Sequence, residues 1–264
     1  MTTMTVNHST LCCELLRRAV RPRIAMLGAL LLAPMLTFAQ MESGSFEFEG
    51  AKRDYFVFLP QNYNGTDALP LVLALHGWSL DAQQQMNYSR MNVVADTGGF
   101  IVVYPNALHT TWNSGIYDWW WDPNPNVNDV GFINALIDTL HEHYSIDLGR
   151  VYSCGFSNGG FMSFRLACEL SDRIAAIGSV AGVITHSIAQ ACHAHHEMPV
   201  IMIHGTQDLW VPYGGTPGWH SVEYTINDWV SFNLCTESDT LFMPDLNPSD
   251  GCMDFTPVLR QFLS

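Results

Sequence analysis

The sequence RVYSCGFSNGGFMSFRLAC at residues 150–168 decides the fold of this chain. It begins with an apolar run and ends with apolar residues at helical spacing. Between them lies the pentapeptide GFSNG, residues 155–159, in which glycines stand two positions before and two positions after Ser157. Such glycines permit a tight turn with unfavourable backbone angles. The stretch therefore predicts a strand, a sharp turn and a helix, with the Ser157 hydroxyl raised above the sheet as a nucleophile.

Apolar runs and helical spacing predict an α/β fold for the rest of the chain. A hairpin is expected over residues 45–59, and strands are expected at 69–76, 100–104, 151–154, 175–180 and 199–203. Helices are expected at 81–96, 130–144 and 222–232, with Asp129 as a helix cap and a loop over 186–197. Because strands alternate with helices, we expect one mainly parallel sheet with helices on both faces.

The N-terminus has the features of a signal peptide. Arginines precede an apolar run at residues 24–38, and small residues stand at the −3 and −1 positions of a cut after Ala39. The run is about 15 residues long and contains Pro34, so it is too short to span a bilayer. We therefore expect residues 1–39 to be removed, leaving a secreted catalytic domain over residues 40–264 without a stable membrane anchor.

The net charge limits the class of binding partner, and the compartment decides whether the cysteines can form disulfide bonds. The formal net charge of −14 argues against nucleic acid as a partner. Export permits disulfide bonds, and proximity in sequence suggests the pairs Cys168–Cys192 and Cys235–Cys252. Cys154 lies inside a predicted strand, where we expect a buried free thiol that is a poor nucleophile.

The predicted turn at Ser157 is typical of a serine hydrolase. Ser157 is the candidate nucleophile, and Asp208, just past a strand end, is the candidate acid of its catalytic triad. A turn-capping role for Asp208 is the alternative. The backbone N–H groups of Trp78 and Asn158 are the candidate oxyanion-hole donors. We expect the His76 side chain to form a structural hydrogen bond.

Four motifs, in order and at ordinary spacing, resemble the esterase family of polyhydroxybutyrate depolymerases. They are HGW at 76–78, DVGF at 129–132, RVYSCGFSNGG at 150–160 and HGTQDLWVPY at 204–213. The family is itself similar to feruloyl and acetylxylan esterases. The resemblance covers roughly residues 45–252 and implies an α/β-hydrolase fold and ester hydrolysis through an acyl-enzyme, with no metal or cofactor. The implied substrates are polyhydroxyalkanoate, feruloyl or acetyl esters, on a polyester or a plant polysaccharide.

The position of the general base departs from that family. The family's catalytic histidine lies well after the acid, in a glycine-rich loop that follows one more strand. Here the last histidine is His220, 12 residues past Asp208. We expect the last strand and the histidine loop to be missing, so that the domain is incomplete at its C-terminus. His220 is the nearest substitute base, a non-catalytic binding protein is the alternative function, and a peptidase is a third possibility.

Aromatic and histidine clusters give the remaining candidates. Trp112, Trp119 and Trp120, with the adjacent Trp121, are candidate substrate contacts, and packing of this loop onto the core is the alternative. The histidines at 193, 195 and 196 match no zinc motif, and a polar surface loop is expected there. The pair at 141 and 143 would face different sides of a helix. We therefore expect no metal site.

Overall fold

A seven-stranded β-sheet lies at the centre of the described chain. The computed structural model describes residues 39–116 and 126–237, and the backbone of residues 239–242 and 255–258. Along the chain the strands are β1 (Gln40–Phe48), β2 (Ala51–Leu59), β3 (Leu69–Leu75), β4 (Ile101–Pro105), β5 (Ile146–Phe156), β6 (Ala176–Val180) and β7 (Val200–Ile203). In space their order is β1-β2-β4-β3-β5-β6-β7.

Most neighbouring strands of this sheet are parallel. β1 and β2 form an antiparallel hairpin, and β2 also pairs antiparallel with β4. The pairs β3–β4, β3–β5, β5–β6 and β6–β7 are parallel. Every residue of β4 is buried, as expected of a strand covered on both faces. The predicted hairpin and the mainly parallel sheet are confirmed.

Helices cover both faces of the sheet, as predicted. They are α1 (Ala82–Ser89), α2 (Met91–Gly98), α3 (Asp129–His143), α4 (Asn158–Glu169), α5 (His186–Ala191) and α6 (Val222–Phe232). Successive residues of β4 point to opposite faces and enter two different apolar clusters. Ala82 of α1 and Ala95 of α2 belong to the smaller cluster. The larger cluster contains Phe132 of α3, Phe164 of α4 and Trp229 of α6.

Two local predictions are wrong. The helix predicted over residues 81–96 is divided into α1 and α2, because Arg90 between them adopts a left-handed conformation with φ of 50°. The loop predicted over residues 186–197 begins with the helix α5. Thr185 caps that helix, since its side chain accepts a hydrogen bond from the Ile188 N–H. A threonine directly before a helix is a common cap residue, so Thr185 is a signal from which this helix could be predicted.

The predicted cap of α3 is displaced by one residue. Asn128 is the cap, and its side chain accepts a hydrogen bond from the Gly131 N–H. Asp129 instead forms a buried ion pair with Arg53 of β2, at 2.7 Å between Nη2 and Oδ1. Burial raises the pKa of the Asp129 carboxyl, while Arg53 and the Asn113 N–H oppose that shift. The pair joins the hairpin to the start of α3.

The structure describes only part of the chain at its two ends. The predicted signal peptide lies almost wholly outside the described residues. Within the described ranges, no helix is long and apolar enough to cross a membrane.

After α6, strands β8 (Asp239–Phe242) and β9 (Phe255–Val258) pair with each other in a separate antiparallel sheet. Of the strands that the structure describes, none pairs with the outer edge of β7.

Candidate active site

Ser157 lies at a strained turn between β5 and α4. Its backbone angles are φ 51° and ψ −117°, outside the regions that a residue with a side chain ordinarily adopts. Its N–H donates to the Val180 carbonyl at 2.8 Å, and its carbonyl accepts from the N–H groups of Gly160 and Phe161. The predicted strand, turn and helix are therefore present, with Ser157 directly after the carboxyl end of β5. We call residues 155–160 the nucleophile elbow.

Close backbone contacts explain the glycines of the nucleophile elbow. A methyl group on Gly155 would collide with the backbone of Gly159. One on Gly159 would collide with the Leu75 carbonyl and lie 2.7 Å from the His76 carbonyl oxygen. Because these neighbours are backbone atoms, they cannot move aside as a flexible side chain would. The turn that carries Ser157 is thus fixed against the end of β3.

The Asn158 side chain has a role that the sequence did not indicate. It is buried, and its Oδ1 accepts from the Trp112 N–H at 2.7 Å. Its Nδ2 donates to the Trp112 carbonyl at 3.2 Å and to the Ser114 hydroxyl at 2.9 Å. These three hydrogen bonds, with a longer one of 3.5 Å from the Thr111 hydroxyl to Oδ1, attach the loop after β4 to the residue that follows the candidate nucleophile. They also hold the Asn158 backbone at the first turn of α4.

The prediction that the Trp112 indole contacts substrate is wrong in this structure. Its side chain is fully buried, and its Nε1–H donates to the His76 carbonyl at 3.0 Å. The alternative interpretation, packing of this loop onto the core, holds for Trp112. Trp119, Trp120 and Trp121 lie outside the described residues. Two large aromatic side chains at this end of the sheet are exposed: Phe156 of the elbow, 41% exposed, and Trp78 of the HGW turn, 43% exposed.

Asp208 lies in the loop after β7 that we call the acid loop, residues 204–213. Its Oδ1 accepts from the N–H groups of Trp210 and Val211, at 2.8 and 2.9 Å. The turn-capping interaction is therefore present. Oδ2 lies 3.9 Å from the His204 Nε2, and the side chain is 19% exposed. Oδ1 thus stabilises the acid loop, whereas Oδ2 accepts neither of those two hydrogen bonds.

His204 closes the base of the acid loop. Its side chain is 2% exposed, and its Nε2 lies 2.8 Å from the Val211 carbonyl oxygen. Since a carbonyl can only accept, Nε2 carries a proton, and Nδ1 is buried without a hydrogen-bond partner. The ring nitrogen nearest Asp208 is therefore engaged by a backbone carbonyl. His204 has the contacts of a structural residue.

His220, the substitute base considered from sequence, is engaged elsewhere. Its Nε2 lies 3.0 Å from the Nδ1 of His186, whose own Nε2 lies 3.2 Å from the Thr216 carbonyl oxygen. Its ring stacks on that of Tyr224, with centroids 3.6 Å apart. Burial and the neighbouring His186 lower its pKa, and Asp228 opposes that shift. The structure does not bring His220 into hydrogen-bond contact with Ser157 or Asp208.

The cysteines divide into a bonded pair and free thiols. The predicted Cys168–Cys192 disulfide is present and joins the end of α4 to the residue after α5. Cys235 carries a free thiol, and Cys252, its predicted partner, lies outside the described residues. Cys154 is free, and burial raises the pKa of its thiol. That shift disfavours the thiolate, so Cys154, which is partly buried against the smaller apolar cluster, has the properties of an unreactive thiol.

The histidine cluster after α5 bonds to a neighbouring turn. The ring of His195 contacts the Asp172 carboxylate at 2.7 Å, and the His196 ring contacts the Ser171 carbonyl at 2.8 Å. These contacts are those of a polar surface loop. Within the described residues, no three His, Cys, Asp or Glu side chains are grouped as metal ligands.

Comparison with known proteins gives the family context. The family described as "Esterase PHB depolymerase" matches residues 53–211, which is more than half of the chain and includes Ser157 and Asp208. A bifunctional acetylxylan esterase/xylanase from Neocallimastix patriciarum is 30% identical over 171 residues, covering 65% of this chain and 24% of that protein. A probable feruloyl esterase C from Aspergillus flavus is 27% identical over 169 residues, covering 62% of this chain and 57% of that protein.

Solved structures agree with the predicted fold. An S-formylglutathione hydrolase from Agrobacterium tumefaciens superimposes with a TM-score of 0.56 at 15% identity, covering 73% of this chain and 82% of that chain. At such identity the likeness concerns the fold alone, which is the predicted α/β-hydrolase fold. This chain spans less than two thirds of the length of either sequence relative named above.

Proposed function

Because this chain belongs to the esterase family of polyhydroxybutyrate depolymerases, we propose that it hydrolyses carboxylic esters through an acyl-enzyme on Ser157. The strained backbone of Ser157 is the observation that carries the proposal. Such strain persists only where the surroundings impose it, and it is concentrated at functional sites. The tight glycine contacts on both sides of the turn are surroundings of that kind.

In the proposed reaction the Ser157 hydroxyl oxygen attacks the ester carbonyl carbon. The alcohol leaves with the proton that the serine gives up, and water then hydrolyses the acyl-serine to the acid. Asp208 is the proposed acid of the triad. The N–H groups of Trp78 and Asn158 are the proposed donors to the oxyanion that forms on the carbonyl oxygen. No step requires a metal or another cofactor.

The proposed substrates are feruloyl or acetyl esters of plant polysaccharides, or polyhydroxyalkanoate esters. Support comes from the named relatives, an acetylxylan esterase and a feruloyl esterase, and from the family description. Trp78 and Phe156, exposed at the end of the sheet that carries Ser157, offer an apolar surface suited to an acyl group. We further propose that residues 1–39 are a cleaved signal peptide and that the enzyme acts outside the cell.

The test is p-nitrophenyl acetate hydrolysis by residues 40–264, compared with Ser157→Ala and Asp208→Asn. We expect Ser157→Ala to remove turnover to background, because losing the nucleophile costs several orders of magnitude in kcat. Asp208→Asn keeps the oxygen that caps the acid loop but removes the charge, so we expect a large loss with an unchanged fold. Equal rates in wild type and Ser157→Ala would overturn the proposal.

One observation favours a second candidate function, a binding protein without turnover. Among the described residues, no histidine ring hydrogen-bonds to the Ser157 hydroxyl, and His204 and His220 both have other partners. A scaffold that keeps its exposed aromatic side chains could still bind a polymer. Pull-down on insoluble xylan and on polyhydroxybutyrate distinguishes the two candidates. Retention without Ser157-dependent hydrolysis supports the second, whereas turnover removed by Ser157→Ala supports the first.

A further inference from the structure

The HGW turn at residues 76–78 contains a buried histidine that the proposed reaction does not use. The His76 side chain is fully buried between β3 and the loop after β4. The backbone N–H of Ala107 donates to its Nε2 at 3.0 Å. Its Nδ1 lies 2.8 Å from the Gly77 carbonyl oxygen. Both ring nitrogens are therefore engaged, and the ring is shielded from any substrate.

These two partners determine which nitrogen of His76 carries the proton. The Ala107 N–H can only donate, so Nε2 must be the unprotonated acceptor. The proton then resides on Nδ1, which donates it to the Gly77 carbonyl. The protonated ring could not accept from Ala107, and burial lowers the pKa of His76, so the neutral form is retained. This chain's fold thus fixes both the tautomer and the charge of the ring.

The bond to Gly77 fixes the direction of the next N–H group. A trans peptide is planar, and its C=O and N–H groups point in opposite directions. No cis peptide bond occurs in the described chain. Since the Gly77 carbonyl faces the His76 ring and also accepts from the Leu80 N–H at 3.2 Å, the Trp78 N–H faces away from the ring. A rotation of this peptide would break both bonds.

The segment held in this way adjoins the nucleophile elbow on both sides of Ser157. A methyl group on Gly77 would lie 3.0 Å from the Phe156 ring and 3.3 Å from the Phe156 carbonyl oxygen. The His76 carbonyl packs against Gly159 and accepts from the Trp112 indole. On its far side, the segment is held where the Ser79 N–H donates to the Thr110 carbonyl at 2.9 Å.

We propose that His76 is a positioning residue whose ring fixes the Gly77–Trp78 peptide with the Trp78 N–H directed to the oxyanion above Ser157. This inference rests on the proposed esterase function. An oxyanion donor acts only if it is held in place before the charge develops. The contribution of His76 is therefore to the transition state and not to the binding of the ester.

Two variants separate this role from simple packing. In His76→Asn, the side-chain amide can occupy the place of Nδ1 and donate to Gly77, but it cannot reach Ala107. In His76→Gln, the longer side chain can accept from the Ala107 N–H, but it provides no donor for Gly77. Each variant keeps one of the two ring bonds, so their melting temperatures should fall by similar amounts.

The kinetic measurement is kcat and KM for p-nitrophenyl acetate, with inhibition by a boronic acid that forms a tetrahedral adduct on serine. We expect His76→Gln to lose about 10- to 100-fold in kcat and in boronic acid affinity, with KM nearly unchanged. We expect His76→Asn to recover most of that loss. Equal losses in the two variants, or a His76→Gln enzyme with wild-type kcat, would overturn the proposal.

If the wild type shows no Ser157-dependent turnover, the esterase proposal fails and the role of His76 is decided by NMR. In 15N-labelled protein we expect the His76 ring to be protonated at Nδ1. The Trp78 amide signal should shift in His76→Gln and stay near its wild-type position in His76→Asn. A ring protonated at Nε2, or an unshifted Trp78 signal in His76→Gln, would overturn the inference.

Discussion

The nucleophile elbow and the acid loop carry the two candidate catalytic side chains, but they are fixed by different means. Gly159 of the elbow touches the backbone of another strand so closely that a methyl group cannot be added. In the acid loop, a methyl group on Gly205 would meet nothing nearer than 4.0 Å. Leu209 and Trp210 of that loop are 91% and 72% exposed. Packing against another strand and a hydrogen bond to Val180 hold Ser157, whereas hydrogen bonds within one short loop hold Asp208.

This difference predicts where substitutions affect stability. Packing against backbone atoms cannot relax, so changes in the elbow should destabilise the whole fold. Changes in the acid loop should leave the free energy of unfolding nearly unchanged while altering activity.

The largest expected effect is that of Gly159→Ala. The added methyl group would collide with the Leu75 carbonyl, and we expect a loss of about 3 kcal/mol in the free energy of unfolding. The matched change in the acid loop, Gly205→Ala, should alter stability by less than about 0.5 kcal/mol. Urea unfolding of both variants measures the difference. Similar losses in the two would contradict the contrast between the regions.

Asn158→Ala should have the next largest effect. It removes the side-chain hydrogen bonds to Trp112, Ser114 and Thr111 and leaves the buried Trp112 N–H unpaired, so we expect a loss of about 2–3 kcal/mol. Asp208→Asn in the acid loop keeps the oxygen acceptor for Trp210 and Val211 and should cost less than about 1 kcal/mol. Thermal unfolding at one protein concentration compares them. An Asn158→Ala protein as stable as the wild type would show that these bonds contribute little.

A smaller effect is expected from pH. Burial lowers the pKa of His76 below its unfolded value near 6.5, a shift that the hydrogen bond to Gly77 and the charge of Asp81 oppose and that Arg53 favours. The unfolded chain therefore binds a proton at a higher pH than the folded chain does. The stabilisation is complete above about pH 6.5 and is lost as the pH falls through the interval down to the folded pKa.

The measurement for that prediction is urea unfolding at pH 7.5 and 5.5, for wild type and His76→Asn. We expect the wild type to lose more stability than the variant over this interval, because the variant has no ring to titrate. An identical pH dependence in the two proteins would mean that His76 does not titrate differently on folding.

The nucleophile elbow could be predicted from local sequence, but the side chains that support it, Asn158 and His76, could not be assigned their contacts in that way. The glycine spacing around Ser157 encodes a turn that only small residues permit, so the strand, the turn and the helix could be predicted. The Asn158 and His76 bonds join segments 30 to 50 residues apart, and no local pattern encodes such contacts. Trp112 was misassigned for the same reason, since its burial depends on the fit of a whole loop onto the core.

The acid loop was predicted to follow a strand, and it does follow β7. Its histidine was not assigned a role from sequence, although the spacing of His204 and Val211 allows the bond that closes the loop. The ring contacts of His220 with His186 and Tyr224 likewise depend on how α5 and α6 pack. Chain order suggested a substitute base, but side-chain orientation decides whether one exists.

The most direct test of the central claim is reaction of residues 40–264 with a fluorophosphonate, followed by peptide mapping. The serine oxygen forms a bond to phosphorus and fluoride leaves, so the product marks an activated serine. We predict one phosphonyl group per chain on the peptide that contains Ser157, and none in Ser157→Ala. No adduct, or an adduct on another residue that persists in Ser157→Ala, would contradict the assignment of the elbow as a catalytic centre.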